Sequence, residues 1–215
     1  MFKFSFDELI DIILSFFVIS IAFSILYSRT DISQAINIVP IVMVGAGLGF
    51  IFHELAHKFV AIHYNYQAEF KKWMPGLIFS LISPFLGFMF AAPGAVYIYG
   101  NQITDRVNGI ISVAGPITNI VLSIGFLLSA AYAIANPQSI GENQMILSMF
   151  ILGFSVNAML ALFNLIPFSI LDGAKVFRWD PIIWLIVAAI AGGLLYISMT
   201  SQREILIFLA NLIKC

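Results

Sequence analysis

Residues 53–57 read His53-Glu54-Leu55-Ala56-His57, two imidazoles four positions apart with a carboxylate between them. Residues four apart share one face of a helix, so His53 and His57 can reach a single ion together. Glu54 then lies at the edge of the same turn. This is the arrangement of a zinc protease. A zinc ion lowers the pKa of a water it binds to about 7, and a neighbouring glutamate can take the proton. The motif falls in an apolar stretch that begins Ile38-Val39-Pro40-Ile41 and passes through Gly45, Gly47 and Gly49. Ionisable side chains in a spanning helix are costly and face the bundle interior or water, so chance placement explains this motif poorly.

A catalytic zinc usually takes three protein ligands and keeps one position open. His63, six residues after His57, has the spacing for a third histidine ligand. Lys58 to Ile62 look continuously helical, however, with Val60 where a helix-breaking glycine would be needed. Six helical residues turn the chain by about 600°, which aims His63 away from His57 and leaves it as an interfacial histidine. Asp172, in Asn164-Leu165-Ile166-Pro167-Phe168-Ser169-Ile170-Leu171-Asp172-Gly173, is the better candidate. Asp-Gly is by itself an ordinary turn dipeptide. Beside a histidine pair that lacks a ligand, the metal reading is preferred.

The elements that must position these groups are set by composition. Of 215 residues, 61% are hydrophobic and 10% charged, and the mean hydropathy is +1.01. Soluble domains carry roughly a quarter charged residues, and a water-facing surface cannot be built from this chain. Its solvent is a lipid bilayer. The net charge of -1 points to no nucleic acid, and the single cysteine, Cys215, excludes an internal disulfide framework and reads as an incidental thiol. A span needs about 20 mostly apolar residues. Candidates run from 8 to 27, 37 to 63, 108 to 135, 144 to 171 and 181 to 200, with turns at Arg29–Asp31 and Asn136-Pro137 and a helix stop and restart at Trp179-Asp180-Pro181. Residues 203–214 read as a short interfacial helix. Asp7, Glu8 and Asp11 stand where a signal peptide would be basic, so the first helix is expected to be retained.

Residues 70–100 are apolar but interrupted by Pro75, Gly76, Pro84, Gly87, Pro93 and Gly94, and Ala95 to Tyr99 have strand-like composition. Irregular backbone at membrane depth is tolerated only where protein or a wet cavity covers it. His57 and Asp172 each read as lying toward the C-terminal end of a helix, so sharing one ion requires those helices to be parallel. That needs an odd number of spans between them. The 108–135 helix supplies one, and the 70–100 region is therefore expected not to span. The expectation is an all-α integral membrane protein, a polytopic bundle of five to six spans with a re-entrant or strand-like segment near 70–100. With five spans, Lys3, Lys58, Lys71, Lys72, Arg106, Lys175 and Arg178 share one side, against Arg29, Arg203 and Lys214. Basic residues favour the cytoplasmic side, so the site is expected to open toward that face of a cell membrane that the chain crosses several times.

Taken together, His53-Glu54-x-x-His57, Asn164-x-x-Pro167 and Leu171-Asp172-Gly173 resemble the site-2 protease family of intramembrane zinc metalloproteases. Ala114-Gly115-Pro116-Ile117-Thr118-Asn119 resembles the family's G-P-x-x-N helix. These elements cover roughly 40–178, within a single membrane-embedded domain expected over 1–215 with no PDZ or other soluble regulatory domain. The resemblance implies one zinc ion per chain held by His53, His57 and Asp172, Glu54 as general base, and Asn164 positioning substrate or stabilising the oxyanion. Ile170 and Ala174 depart from the family's common Pro and Gly.

The implied activity is hydrolysis of peptide bonds in or near transmembrane helices, as in regulated intramembrane proteolysis, with a transmembrane protein as substrate and the bilayer as surroundings. A spanning helix hides its carbonyls in its own hydrogen bonds and must partly unwind before it is cut. The strand-like segment, through Val96 and Ile98, is expected to pair with the unwound stretch by strand addition. Asn119 is a candidate substrate contact, against the alternative of an interhelical hydrogen bond. Gly115 reads as a close-packing residue. A metal transporter would spread acidic and histidine residues over several helices, which this chain does not do, and a catalytically dead scaffold would have no need of Glu54.

Overall fold

The computed structural model describes residues 4–100, 102–140, 144–168 and 170–214. Cys215 and Lys3 lie outside them. The chain runs α1 (Phe6–Tyr27), α2 (Ile32–Val42), α3 (Leu48–His63), β1 (Gln67–Lys72), α4 (Met74–Ile82), β2 (Gly94–Tyr99), α5 (Asp105–Ala135), α6 (Pro137–Ile140), α7 (Gln144–Asn164), α8 (Asp172–Trp179), α9 (Pro181–Tyr196) and α10 (Gln202–Lys214). A π-helical turn, Met43–Gly47, joins α2 to α3 into one rod, and another, Ile197–Ser201, joins α9 to α10. Among the described residues, five helical segments are long and apolar enough to cross a membrane: 6–27, 32–63, 105–135, 144–164 and 181–214.

Local signals set the boundaries. Ser5 caps α1 by accepting from the Glu8 amide. Arg29 and Thr30 turn the chain through positive φ, and Asp31 caps α2. Asp180 accepts from the amides of Ile182 and Ile183, and Pro181 opens α9 at its first position, where its missing N–H costs nothing. The outer faces carry Leu9, Ile13, Phe17, Ile186 and Ile190, all exposed, as surfaces solvated by lipid tails.

The central helix is α5, packed against α3, α7, α8 and α10. One core joins α1, the α2–α3 rod, β1 and α7 through Phe23, Val42, Phe50, Phe70 and Val156. A second joins α5, α7, α8 and α9 through Ile120, Ala161, Val176 and Val187. The third corrects the expected interfacial helix at 203–214. That segment continues the last long helix and buries Leu206 against Leu127, Ala130 and Phe154.

The interrupted region folds as a short α4, too short to cross, and a β-hairpin. Among the described residues, α5 is the one helix of membrane length between the α2–α3 rod and α7. Strand β2 is legible in the sequence; its partner β1 is not, because Gln67-Ala68-Glu69-Phe70-Lys71-Lys72 carries a single large apolar residue. The strands pair antiparallel with Phe70 opposite Val96 and Lys71 opposite Ala95. The amides of Phe70 and Lys72 donate away from β2, to Glu8 and Asp11 of α1, and Trp73 N–H donates to the Pro93 carbonyl. Odd-numbered residues of β1 therefore make the ladder. By the alternation of antiparallel pairs, Gly94, Val96 and Ile98 turn their backbone groups to the unpaired edge of β2.

Candidate metal centre

Helix α3 presents His53 and His57 one turn apart, and both are buried. Asp172 arrives from another direction and corrects its expected place at the end of a spanning helix. α7 stops at Asn164, a loop folds back, and Asp172 is the first residue of α8. Gly173 allows this return, since a Cβ there would lie 2.1 Å from the Leu165 carbonyl oxygen. The same carbonyl accepts the indole N–H of Trp184 at 2.7 Å.

Three atoms converge. His53 Nε2 and His57 Nε2 are 3.0 Å apart, and Asp172 Oδ2 lies 3.2 and 3.0 Å from them. The far side of each ring fixes what these atoms are. His57 Nδ1 lies 2.8 Å from the Ile111 carbonyl, which can only accept, so Nδ1 carries the proton. His53 Nδ1 lies 2.6 Å from Asn119 Oδ1. That oxygen is assigned by the other end of the amide, whose NH2 donates to the Gly49 carbonyl and to Asn157 Oδ1. Asn157 in turn donates to the Gly45 and Gly153 carbonyls. Both Nε2 atoms thus present lone pairs to each other and to a carboxylate oxygen.

A single proton could bridge only one of the three contacts, whereas a cation at their centre satisfies them all. Tetrahedral zinc with bonds near 2.05 Å spaces its ligand atoms about 3.3 Å apart, close to the triangle found. Gly115 keeps the space clear: a Cβ there would lie 2.5 Å from both Nε2 atoms. The donor set fits zinc, with His53, His57 and Asp172 to hold it. Burial alone would raise the pKa of Asp172, which lies on α8 outside the five long helices. Its neighbours His57, His53 and Lys175 more than offset that and hold it well below the usual carboxylate range.

The metal site opens on a cavity of about 410 Å³, lined among others by Glu54, Val96, Ile98, Asn164, Leu171 and Lys175. Glu54 follows His53 in sequence, is buried, and lines the same cavity as Val96. Asn164 lines the cavity with one amide N–H spent on the Leu160 carbonyl at 3.0 Å. Asn119, open in the sequence between a substrate contact and an interhelical hydrogen bond, lines the cavity, is fully buried and bonds across helices to His53, Gly49 and Asn157. It orients a ligand. His63 is exposed, packs edge-on against Tyr64 and is not part of the cluster.

Several contributors escape a reading of the sequence. Asn157, an amide in the middle of an apolar helix, is a signal that could have been used. Lys175, one turn beyond Asp172, sets its Nζ 3.5 Å from Oδ1 and so favours coordination through Oδ2. The Ile111 carbonyl has no sequence signal. Lys58, counted by sequence among the basic residues of one side, is buried against Glu8.

Five membrane-length helices around a histidine–histidine–aspartate zinc site define a membrane metalloprotease. A Methanocaldococcus jannaschii protein named "Putative zinc metalloprotease" is 41% identical over 197 residues, covering 91% of this chain and 96% of the relative. The chain belongs to this family, the site-2-protease-like zinc metalloproteases. No family model matches the chain, and no solved structure does.

Proposed function

We propose that the protein is an intramembrane endopeptidase of the site-2 type, cutting transmembrane protein substrates within or near their spanning helices in regulated proteolysis. The observation that carries this reading is the convergence of three lone-pair donors, beside a buried glutamate, on a cavity whose wall includes an unpaired strand edge. Zinc, when bound, supplies Lewis acidity to the scissile carbonyl and to water.

The chain's own residues do the rest. An unwound substrate segment seats along Gly94, Val96 and Ile98, whose edge groups replace the hydrogen bonds lost on unwinding. Glu54 takes a proton from the attacking water and delivers it to the leaving nitrogen. The second amide N–H of Asn164 turns toward the developing oxyanion. Basic residues at the ends of the spans favour a cell-membrane orientation with the site toward the cytoplasm.

The test is cleavage of a transmembrane test substrate by the purified protein in proteoliposomes, with and without a zinc chelator. Cleavage lost with the chelator, restored by zinc and absent in Glu54→Ala is the expected result. A zinc-loaded wild type that leaves every extended or helical membrane substrate intact sinks the reading.

A further inference from the structure

Helix α3 carries one charge that the reaction does not use. Lys58 follows His57 directly and is 2% exposed. Its ammonium lies 2.7 and 2.5 Å from the two carboxylate oxygens of Glu8, itself 2% exposed, and 4.0 Å from the Phe4 ring centre. Burying such a pair gives little stability compared with apolar side chains of similar volume, so its value lies in what it orients. Glu8 Oε1 also accepts the Phe70 amide at 2.9 Å. Phe70 stands opposite Val96, and Val96 lines the same cavity as Glu54, one turn before Lys58 on α3.

These neighbours form a ring: Lys58 to Glu8, Glu8 to Phe70, Phe70 across the hairpin to Val96, Val96 across the shared cavity wall to Glu54, and Glu54 along α3 back to Lys58. The Lys58–Glu8–Phe70 tie fixes the position of the strand edge along α3. Two further ties hold the same strand to α1, Lys72 with Asp11 and Ser5 Oγ with Glu69 at 2.7 Å.

We propose that Glu8 and Lys58 are positioning residues that set the register between the substrate-binding edge of β2 and Glu54, and so select which peptide bond is cut. The proposal rests on the strand-pairing protease reading above. With the ring intact, a seated strand offers one carbonyl to the metal site. With it broken, β2 slides along α3 and neighbouring bonds share the position.

The experiment uses the zinc-loaded full chain, a transmembrane substrate, and mass spectrometry of the products. Glu8→Met/Lys58→Met removes the ring and leaves no buried charge unpaired. The exchange Glu8→Lys/Lys58→Glu keeps an ion pair but takes the acceptor from the Phe70 amide. Both are expected to bind zinc as the wild type does and to keep KM within about twofold. Both should lose about 10- to 100-fold in kcat, cut two or more adjacent bonds in place of one, and exchange the Phe70 amide hydrogen faster. Should the methionine pair fail to fold, the charge exchange decides. A folded variant that cuts the same single bond at the wild-type kcat overturns the proposal while cleavage by the wild type, silent in Glu54→Gln, leaves the protease reading standing. Absence of cleavage by the zinc-loaded wild type overturns both.

Discussion

Asn119 Oδ1 lies 2.6 Å from His53 Nδ1, and the opposite end of the same amide is held by the Gly49 carbonyl and Asn157 Oδ1. The first metal-binding ring is therefore oriented from α5 and α7 as well as from its own helix. Replacing such an outer partner typically lowers metal affinity about 10- to 100-fold. Asn119→Leu keeps the volume and removes the acceptor, and a loss in that range is expected when zinc affinity is measured by chelator competition. Unchanged affinity would mean that His53 holds its tautomer without help.

Glu54 is not needed to hold the ion, because the donor triangle is complete without it. Glu54→Gln should therefore bind zinc with the wild-type stoichiometry and lose about 10²- to 10⁴-fold in cleavage rate, the usual contribution of a positioned acid–base group. Elemental analysis beside a cleavage assay separates the two properties. Loss of zinc together with activity would make Glu54 a ligand and displace Asp172 from its role.

Gly115 reads in the sequence as a packing glycine, but the structure places its missing side chain at the centre of the donor set. A Cβ would stand 2.5 Å from each Nε2, and the obstruction is fixed ring atoms on a packed helix. Gly115→Ala should lower zinc affinity at least about tenfold, more than Gly125→Ala, which lies on the same helix with nothing within 4 Å of its Cβ. Helix propensity favours Ala at both sites, so the contrast isolates the metal. Equal affinities would show that the histidines can withdraw without penalty.

What the sequence made legible was what the membrane makes costly. Charged and imidazole groups in apolar helices stand out, and the prolines and glycines of 70–100 mark a segment where, among the described residues, no helix has membrane length. The misses have physical reasons as well. β1 is held by α1, through the Glu8 and Asp11 carboxylates on its outer amides, and not by its own strand propensity. The Ile111 carbonyl is backbone, which no residue type advertises. Asp172 opens a new helix instead of ending a long one, because Gly173 permits a loop return that hydropathy alone reads as more span. Residues 203–214, polar at both ends, look interfacial in isolation, and only their packing on Leu127 and Phe154 joins them to the last long helix.

The unpaired edge of β2 separates two kinds of proline substitution. Lys71 opposite Ala95 is a hydrogen-bonded pair by the ladder's alternation, so Ala95→Pro removes a bond that holds the hairpin together. Ile98 lies in the other phase, its amide turned to the free edge, where proline is tolerated. Ile98→Pro should therefore leave folding and zinc binding close to wild type and lower kcat/KM about 3- to 10-fold, the worth of one main-chain hydrogen bond to substrate. Val96→Pro should cost more, since Val96 lines the cavity beside Glu54. Ala95→Pro should instead lower the melting temperature. Cleavage kinetics, zinc content and thermal unfolding of the three variants test this order, and an Ile98→Pro protein that cuts at the wild-type rate would take the substrate off this edge.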